Sequence, residues 1–249
     1  MTLNFLIAPD FAPQRFAGWH MLNTTLQRRS GLRLHLLTPA SPTEQAALLA
    51  QDKADLVYAN PFDATRMIRD QGYVPFARPA QCFDEMVIAT EVESALHRVE
   101  DIKPGNRIAL TEHQDIKLIG LRLLEPADLI EPMIEWVVVD SFQAAARLAI
   151  SGKVQAAFFL AEVYASLTQT TRSQMRVLIE SQISDISHVM LAHPRMLSNL
   201  PFLREALLGI GHEKGDDAVL DALGLPKGFE AMTPEDAEVM MDLMDALLD

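Results

Sequence analysis

The chain has 249 residues, 49% of them hydrophobic, and a formal net charge of −13. That length buries a large core and suffices for two lobes of ordinary domain size, while the acidic balance excludes a nucleic-acid or anionic-membrane surface, which needs a basic face. One cysteine, Cys82, excludes an intramolecular disulfide and a thiolate zinc cluster, and no apolar run approaches the roughly 20 residues that span a bilayer, so no membrane insertion is expected.

Leu3 to Ala8 reads as the first strand, followed by the loop Pro9-Asp10-Phe11-Ala12-Pro13. No basic n-region, long apolar core or small-residue cleavage site precedes it, so the sequence as given predicts a cytoplasmic location, or a periplasmic one if a signal peptide has been removed. A first helix places Phe16, Trp19, Leu22 or Asn23, and Leu26 on one face, and Gly31 stops it. Arg33 to Thr38 alternates as a second strand. Ser41-Pro42-Thr43-Glu44 combines an N-cap, a proline at the first helical position and a glutamate two residues after it, which starts a helix ending near Gln51. The third strand lies in KADLVYANPF, Lys53 to Phe62. An apolar run closed by Tyr58 and stopped by Asn-Pro reads as a buried parallel strand that delivers Asn60 and Phe62 to its carboxyl edge, where ligands of open α/β sheets collect. Asn60-Pro61 opens a further helix, which Gly72 closes.

Val74 to Ala77 is a short strand, and Gln81 to Thr90 reads as an extended crossing into a second lobe. That lobe repeats the scheme: strand Arg107 to Leu110, helix Asp115 to Leu124, strand Glu135 to Val139, helix Ser141 to Ile150 with Asp140 and Gln143 as a capping box, and strand Gln155 to Phe159. Arg176 to Ile179 and His188 to Ala192 are the remaining strand candidates, the second returning to the first lobe. After Pro194 the chain is expected to be helical throughout. Thr233-Pro234-Glu235-Asp236 starts a last helix whose Val239, Met240, Leu243, Met244 and Leu247 form an apolar face, packed on its own lobe or on a partner. The alternation of strands and helices predicts α/β architecture with parallel sheets.

Gln45 to Phe62 and Gln143 to Tyr164 share one pattern, a short Ala/Leu-rich helix, a turn with lysine, and a strand ending in aromatics, which suggests two lobes facing one cleft; the alternative is that all helix-turn-strand units look alike. Gly-x-Ser-x-Gly, Gly-x-x-x-x-Gly-Lys and Gly-x-Gly-x-x-Gly are all missing, which removes the commonest hydrolase, nucleotide and dinucleotide readings. The loop Thr111-Glu112-His113-Gln114-Asp115 joins a strand to a helix, where free backbone N–H groups await an acceptor. Its Glu112, His113 and Asp115 are either a metal-binding or basic cluster or a solvated helix start. Tyr58, Phe62, Phe158, Phe159 and Tyr164 lie near strand ends, as core residues or as a surface gripping a flat or apolar group.

KADLVYANPFDATRMIRDQGYVPFARP, its counterpart DSFQAAARLAISGKVQAAFFLAEVYASL and the tail HVMLAHPRMLSNLPFLREALLGI together resemble the phosphate/phosphite/phosphonate-binding proteins that serve ABC transporters, over nearly the whole chain. The resemblance implies a type II periplasmic-binding fold: two α/β lobes, two crossing segments and a C-terminal helical tail, with residues 1–83 and 186–249 in lobe one and 84–185 in lobe two. It departs from that family in three places. The family's Ser/Thr-rich oxyanion turn is matched by Thr111-Glu112-His113-Gln114-Asp115, its Gly-Lys-Val-Asp by Gly152-Lys153-Val154-Gln155, and its export signal has no counterpart. A carboxylate-lined loop repels a phosphonate, which implies altered ligand specificity.

The expected function is therefore non-catalytic binding of a small molecule, an oxyanion or small polar metabolite, with no cofactor and no metal. The expected ligand-binding residues are Asp10, Phe11, Tyr58, Asn60, Phe62, Thr111, Glu112, His113, Gln114, Phe159 and Glu162, and an ABC permease is the expected partner if the protein is exported. One alternative is an enzyme on the same scaffold, similar to chorismate-derived dehydratases, with Glu112, His113 or Asp115 as general base. Another is a degenerate binding fold whose Met240, Met241 and Met244 make an adaptable protein-contact surface.

Overall fold

The computed structural model describes residues 2–9, 11–112, 114–182 and 185–248. Two compact units divide the chain, residues 1–83 with 185–246 and residues 84–184 with 247–249.

The first unit is built on a six-stranded sheet of order β11-β4-β10-β3-β1-β2, where β1 is Thr2–Ile7, β2 Arg33–Leu37, β3 Leu56–Ala59, β4 Val74–Pro79, β10 Val189–Ala192 and β11 Phe229–Ala231. β1 pairs in parallel with β2 and β3. The parallel pairing expected from the alternation thus holds for β1, β2 and β3, while β10 runs antiparallel between β3 and β4, and β11 runs antiparallel to β4. β10 returns from the other unit, and a strand that enters at the edge where β3 leaves must run the opposite way. The three-residue β11 interrupts the stretch expected to be all helical, because its backbone completes the edge beside β4.

Period-two alternation sends successive side chains to opposite faces. Phe5, Ile7, Tyr58, Phe76 and Met190 join one core cluster with Trp19, Leu22 and Leu26 of α1 (Phe16–Ser30). Leu6, Val57, Ala59, Val189 and Leu191 join the other with Ala64 and Met67 of α3 (Pro61–Gln71) and Ala237 and Met240 of α10 (Pro234–Leu248). The last helix thus packs on its own unit through Ala237 and Met240, while Met241 and Met244 are buried and Val239 is 52% exposed. Phe16, at the start of α1, is likewise 48% exposed. Periodicity located both apolar arcs; the sheet beneath covers only part of each. α8 (Leu200–Leu208) and α9 (Asp216–Leu223) complete the α1 side, where α1 approaches α9 so closely that a Cβ on Gly18 would lie 2.5 Å from the Ala222 carbonyl oxygen.

Helix starts follow local chemistry. Ser41 accepts the Glu44 N–H at 3.2 Å and Glu44 accepts the Ala40 N–H at 2.7 Å, opening α2 (Pro42–Ala50). Thr233 and Asp236 exchange the equivalent bonds before α10. Gly31 and Gly72 end α1 and α3 with φ of 71° and 69°.

The second unit holds a five-stranded sheet of order β7-β6-β8-β5-β9, where β5 is Met86–Glu91, β6 Arg107–Leu110, β7 Glu135–Val138, β8 Ala156–Leu160 and β9 Met175–Glu180. β6 pairs in parallel with β7 and β8, whereas β5 is antiparallel to β8 and β9. β5 begins later than the extended stretch expected from Gln81, which instead turns with φ 55°. α4 (Gln114–Leu123) and α5 (Phe142–Ile150) flank this sheet. The α5 cap is Ser141, which accepts the Ala144 N–H at 3.2 Å, and not Asp140 with Gln143. α6 (Ala161–Ser166) and α7 (Gln169–Ser173) are short helices after β8. Where the two connecting segments leave this unit they are tied together: Ser181 Oγ donates to the Glu85 carboxylate and accepts the Met86 N–H at 2.7 Å.

Candidate functional site: the carboxyl edges of the two sheets

In the first unit the loop after β1, the turn after β3 and the segment before β10 converge at one edge, because Val189 pairs with Ala59. Four rings line up there. Phe11 lies 5.9 Å from Trp19, Trp19 4.6 Å from Tyr58, and Tyr58 stacks on His188 at 4.9 Å and 19°. Tyr58 and His188 are buried and Phe11 is half-buried. Two polar atoms in this neighbourhood, Trp19 Nε1 and Ser187 Oγ, are buried without a hydrogen-bond partner. A donor stripped of water and left unpaired costs about 1–3 kcal/mol, so such atoms mark places where an acceptor is wanted.

Asn60 is committed to its helix. Its Oδ1 accepts the Asp63 N–H at 2.8 Å and its Nδ2 donates to Asp63 Oδ2 at 3.2 Å, an oxygen that also accepts from Gln45 Nε2 at 2.5 Å. The side chain expected to meet a ligand is thus mostly used as the α3 cap. Phe62, two residues on, is half-buried. Asp10 lies outside the described residues.

In the second unit β6 ends at Leu110 and α4 begins at Gln114. Between them Thr111 is 5% exposed, and its Oγ1 is buried with no hydrogen-bond partner. The adjacent Glu112 is exposed. His113 lies outside the described residues, as do the side chains of Gln114 and Asp115. At the end of β8, Phe159 is fully buried between Phe142, 6.3 Å away, and Tyr164, 5.4 Å away. It is a core residue and offers no surface, a correction to the expectation that it would cover a ligand: α4 and α5 both pack on β8, and every residue of the strand is buried. Tyr164 takes the outer, half-buried position, and burial pushes its phenol up against the opposing field of Arg172. Glu162 is exposed on α6.

Sequence reading missed Ser187 and His188 as site candidates and assigned Trp19 only to a helix face. No local signal marks them, since strand pairing alone brings them beside Tyr58. Cys82 is partly buried against the first unit's core. Among the described residues no group of three His, Cys, Asp or Glu could hold a metal ion, and no helix is long and apolar enough to cross a membrane.

Residues 5–237 match the family described as ABC transporter, phosphonate, periplasmic substrate-binding protein. The chain belongs to that family. No curated protein sequence matches it significantly. In solved structures the fold is similar to a binding-protein component of an ABC phosphonate transporter from Pseudomonas aeruginosa, at TM-score 0.81 and 14% identity over 100% of this chain and 89% of that one. It is also similar to PhnD1 from Prochlorococcus marinus, solved with methylphosphonate, at TM-score 0.82 and 12% identity over 99% and 98% of the two chains. The alkanesulfonate-binding protein SsuA from Xanthomonas axonopodis pv. citri, solved with MOPS, follows at TM-score 0.68 and 18% identity over 99% and 93%. At such identities these likenesses establish the fold, which is the type II periplasmic-binding architecture.

As a member of this substrate-binding family the protein is a non-catalytic solute-binding protein, and the dehydratase-like alternative falls away. The protein-contact alternative loses its surface, since Met240, Met241 and Met244 are 0%, 9% and 1% exposed. The family description is periplasmic, so the expectation of a cytoplasmic location finds no support in it.

Proposed function

We propose that this substrate-binding protein takes a small ligand with an oxyanion head, on the periplasmic side of a membrane, and hands it to an ABC permease. The observation that carries the reading is the Thr111 hydroxyl, buried without a partner just before the first turn of α4. A helix start presents free N–H groups and the positive end of the dipole, and a hydroxyl held beside it adds one more donor. In the first unit Trp19 Nε1 and Ser187 Oγ are likewise buried without a hydrogen-bond partner. The Trp19 indole N–H can only donate, which suits a ligand oxygen better than an amine.

Phe11, Tyr58 and Phe62 are the apolar surface the first unit offers a ligand's body, and in the second unit Tyr164 takes the place of Phe159. Glu112, exposed beside Thr111, raises the cost of a dianion there, which favours a singly charged head or one carrying its own cation. Specificity on this reading differs from that of a receptor for free phosphate.

Calorimetry of the full chain against inorganic phosphate, methylphosphonate, an alkylsulfonate and an aminoalkylphosphonate tests it. Binding of at least one is expected, weakened about tenfold or more by Thr111→Val, the loss of one hydrogen bond to a charged acceptor. Absence of heat with all four, or unchanged affinity in Thr111→Val, overturns the reading.

A further inference from the structure

The first unit has a concavity of about 420 Å³ where α1 meets the start of α9. None of the sheet-edge residues named above lines it. Its volume falls within the roughly 300–1,000 Å³ of small-molecule sites, and its chemistry is unlike the rest of this acidic surface. His20, Thr24 and Arg28 recur every four residues, so they share one face of α1. Lys214 and the Gly215 cap of α9 form the opposite wall, with Met21 and Val219 as the apolar part of the lining.

The groove's lining holds two cations, Arg28 and Lys214, against one carboxylate, Asp216, which is paired. Asp216 Oδ1 accepts from Arg29 Nη2 at 2.7 Å, and Oδ2 accepts the N–H groups of Gly211 at 2.8 Å and Glu213 at 3.0 Å. Glu213 is likewise drawn to Arg29, at 3.0 Å. Arg29 still keeps Nε and Nη1 buried without an acceptor. Asp216 is thus buried and paired, Glu213 is paired but 68% exposed and Asp217 is exposed in the first turn of α9, while Arg28 and Lys214 stand exposed at the groove.

We infer that this groove is a second binding site, for a small phosphorylated organic molecule. Arg28 and Lys214 would take the phosphate as charge-assisted donors, with the α9 start beside them. A bare inorganic anion leaves most of 420 Å³ unfilled. An organic body against Met21, Val219 and the His20 ring, itself set edge-on to Phe16 at 4.8 Å, occupies the remainder.

Adenosine monophosphate is a suitable probe, titrated into the isotopically labelled full chain while backbone amide resonances are followed. Shifts are expected within residues 20–28 and 214–219. The double variant Arg28→Ala, Lys214→Ala is expected to bind about tenfold more weakly or worse, as loss of charge-assisted hydrogen bonds predicts; both side chains are exposed, so its fold is retained. Adenosine without the phosphate is expected to leave these resonances unmoved. No shifts with the nucleotide, shifts confined to other residues, equal affinity in the double variant, or an equal response to adenosine would each overturn the inference. The transported ligand takes no part in this readout, so the result is separate from the proposed transport role.

Discussion

Arg29 and Asp216 join α1 to the start of α9 through a 2.7 Å contact between Nη2 and Oδ1, with the Asp216 carboxylate 4% exposed. Burial pushes this carboxyl up, but the Glu213 N–H, the Arg29 guanidinium and the Gly211 N–H outweigh it and hold the group down at about 2. A carboxyl depressed in the folded state adds stability above its unfolded value, near 3.9, and that stability is lost as pH falls from there through about 2. Denaturant titrations across this window are expected to show a steep loss in the parent and a shallower one in Asp216→Asn. At neutral pH the variant is expected to be destabilised by about 1–3 kcal/mol, because Arg29 loses its buried partner.

Gly120 of α4 has no room for a side chain: a Cβ there would lie 2.1 Å from Phe158 Cε2. Phe158 is fully buried and is pinned edge-on by Trp136 at 5.7 Å, so it has nowhere to retreat. Gly120→Ala is expected to cost about 1–3 kcal/mol as overpacking, despite the better helix propensity of alanine. The urea midpoint checks it; an unchanged or raised midpoint contradicts the packing described.

Tyr73 donates its hydroxyl to the Ala54 carbonyl at 2.9 Å and is 4% exposed. Burial pushes its phenol up to about 12, with the Arg195 charge pulling the other way. A phenol raised above its unfolded value near 10 stabilises the fold at lower pH, and that contribution disappears as pH rises from about 10 to about 12. Ultraviolet titration is expected to lose its latest component in Tyr73→Phe, while Tyr164, also raised by burial, still ionises late. The substitution itself is expected to cost no more than about 1 kcal/mol, since Ala54 keeps the hydrogen bond from Arg195 Nη2 at 3.0 Å.

Met240 and Val239 are neighbours on α10 with opposite fates, one at 0% and the other at 52% exposure. Met240→Ala is expected to destabilise by about 2–5 kcal/mol through the cavity it leaves, and Val239→Ala by less than about 0.5 kcal/mol. Thermal unfolding separates the two; equal small effects would mean that α10 is not part of the core.

Much of the architecture was legible because it is written in short-range chemistry. Ser41 with Glu44, Asn60 before Pro61, and Thr233 with Asp236 satisfy free helix N–H groups within three residues of themselves, so the starts of α2, α3 and α10 can be read off the sequence. The unbroken apolar run of β8 marks a strand buried on both faces in the same way.

Tertiary pairing decided the rest. The antiparallel course of β10 between β3 and β4 depends on where the chain re-enters the first unit, which no local pattern encodes. That pairing alone sets His188 against Tyr58 and Ser187 near it, and packing of α1 adds Trp19. Period and composition show that Phe16, Val239 and Phe159 are apolar, but whether each is covered depends on what lies above it, and the answers were two exposed and one fully buried. Capping and alternation act between residues a few positions apart and are fixed by sequence, whereas burial and an unpaired donor are properties of everything packed around a residue and exist only once the chain has folded.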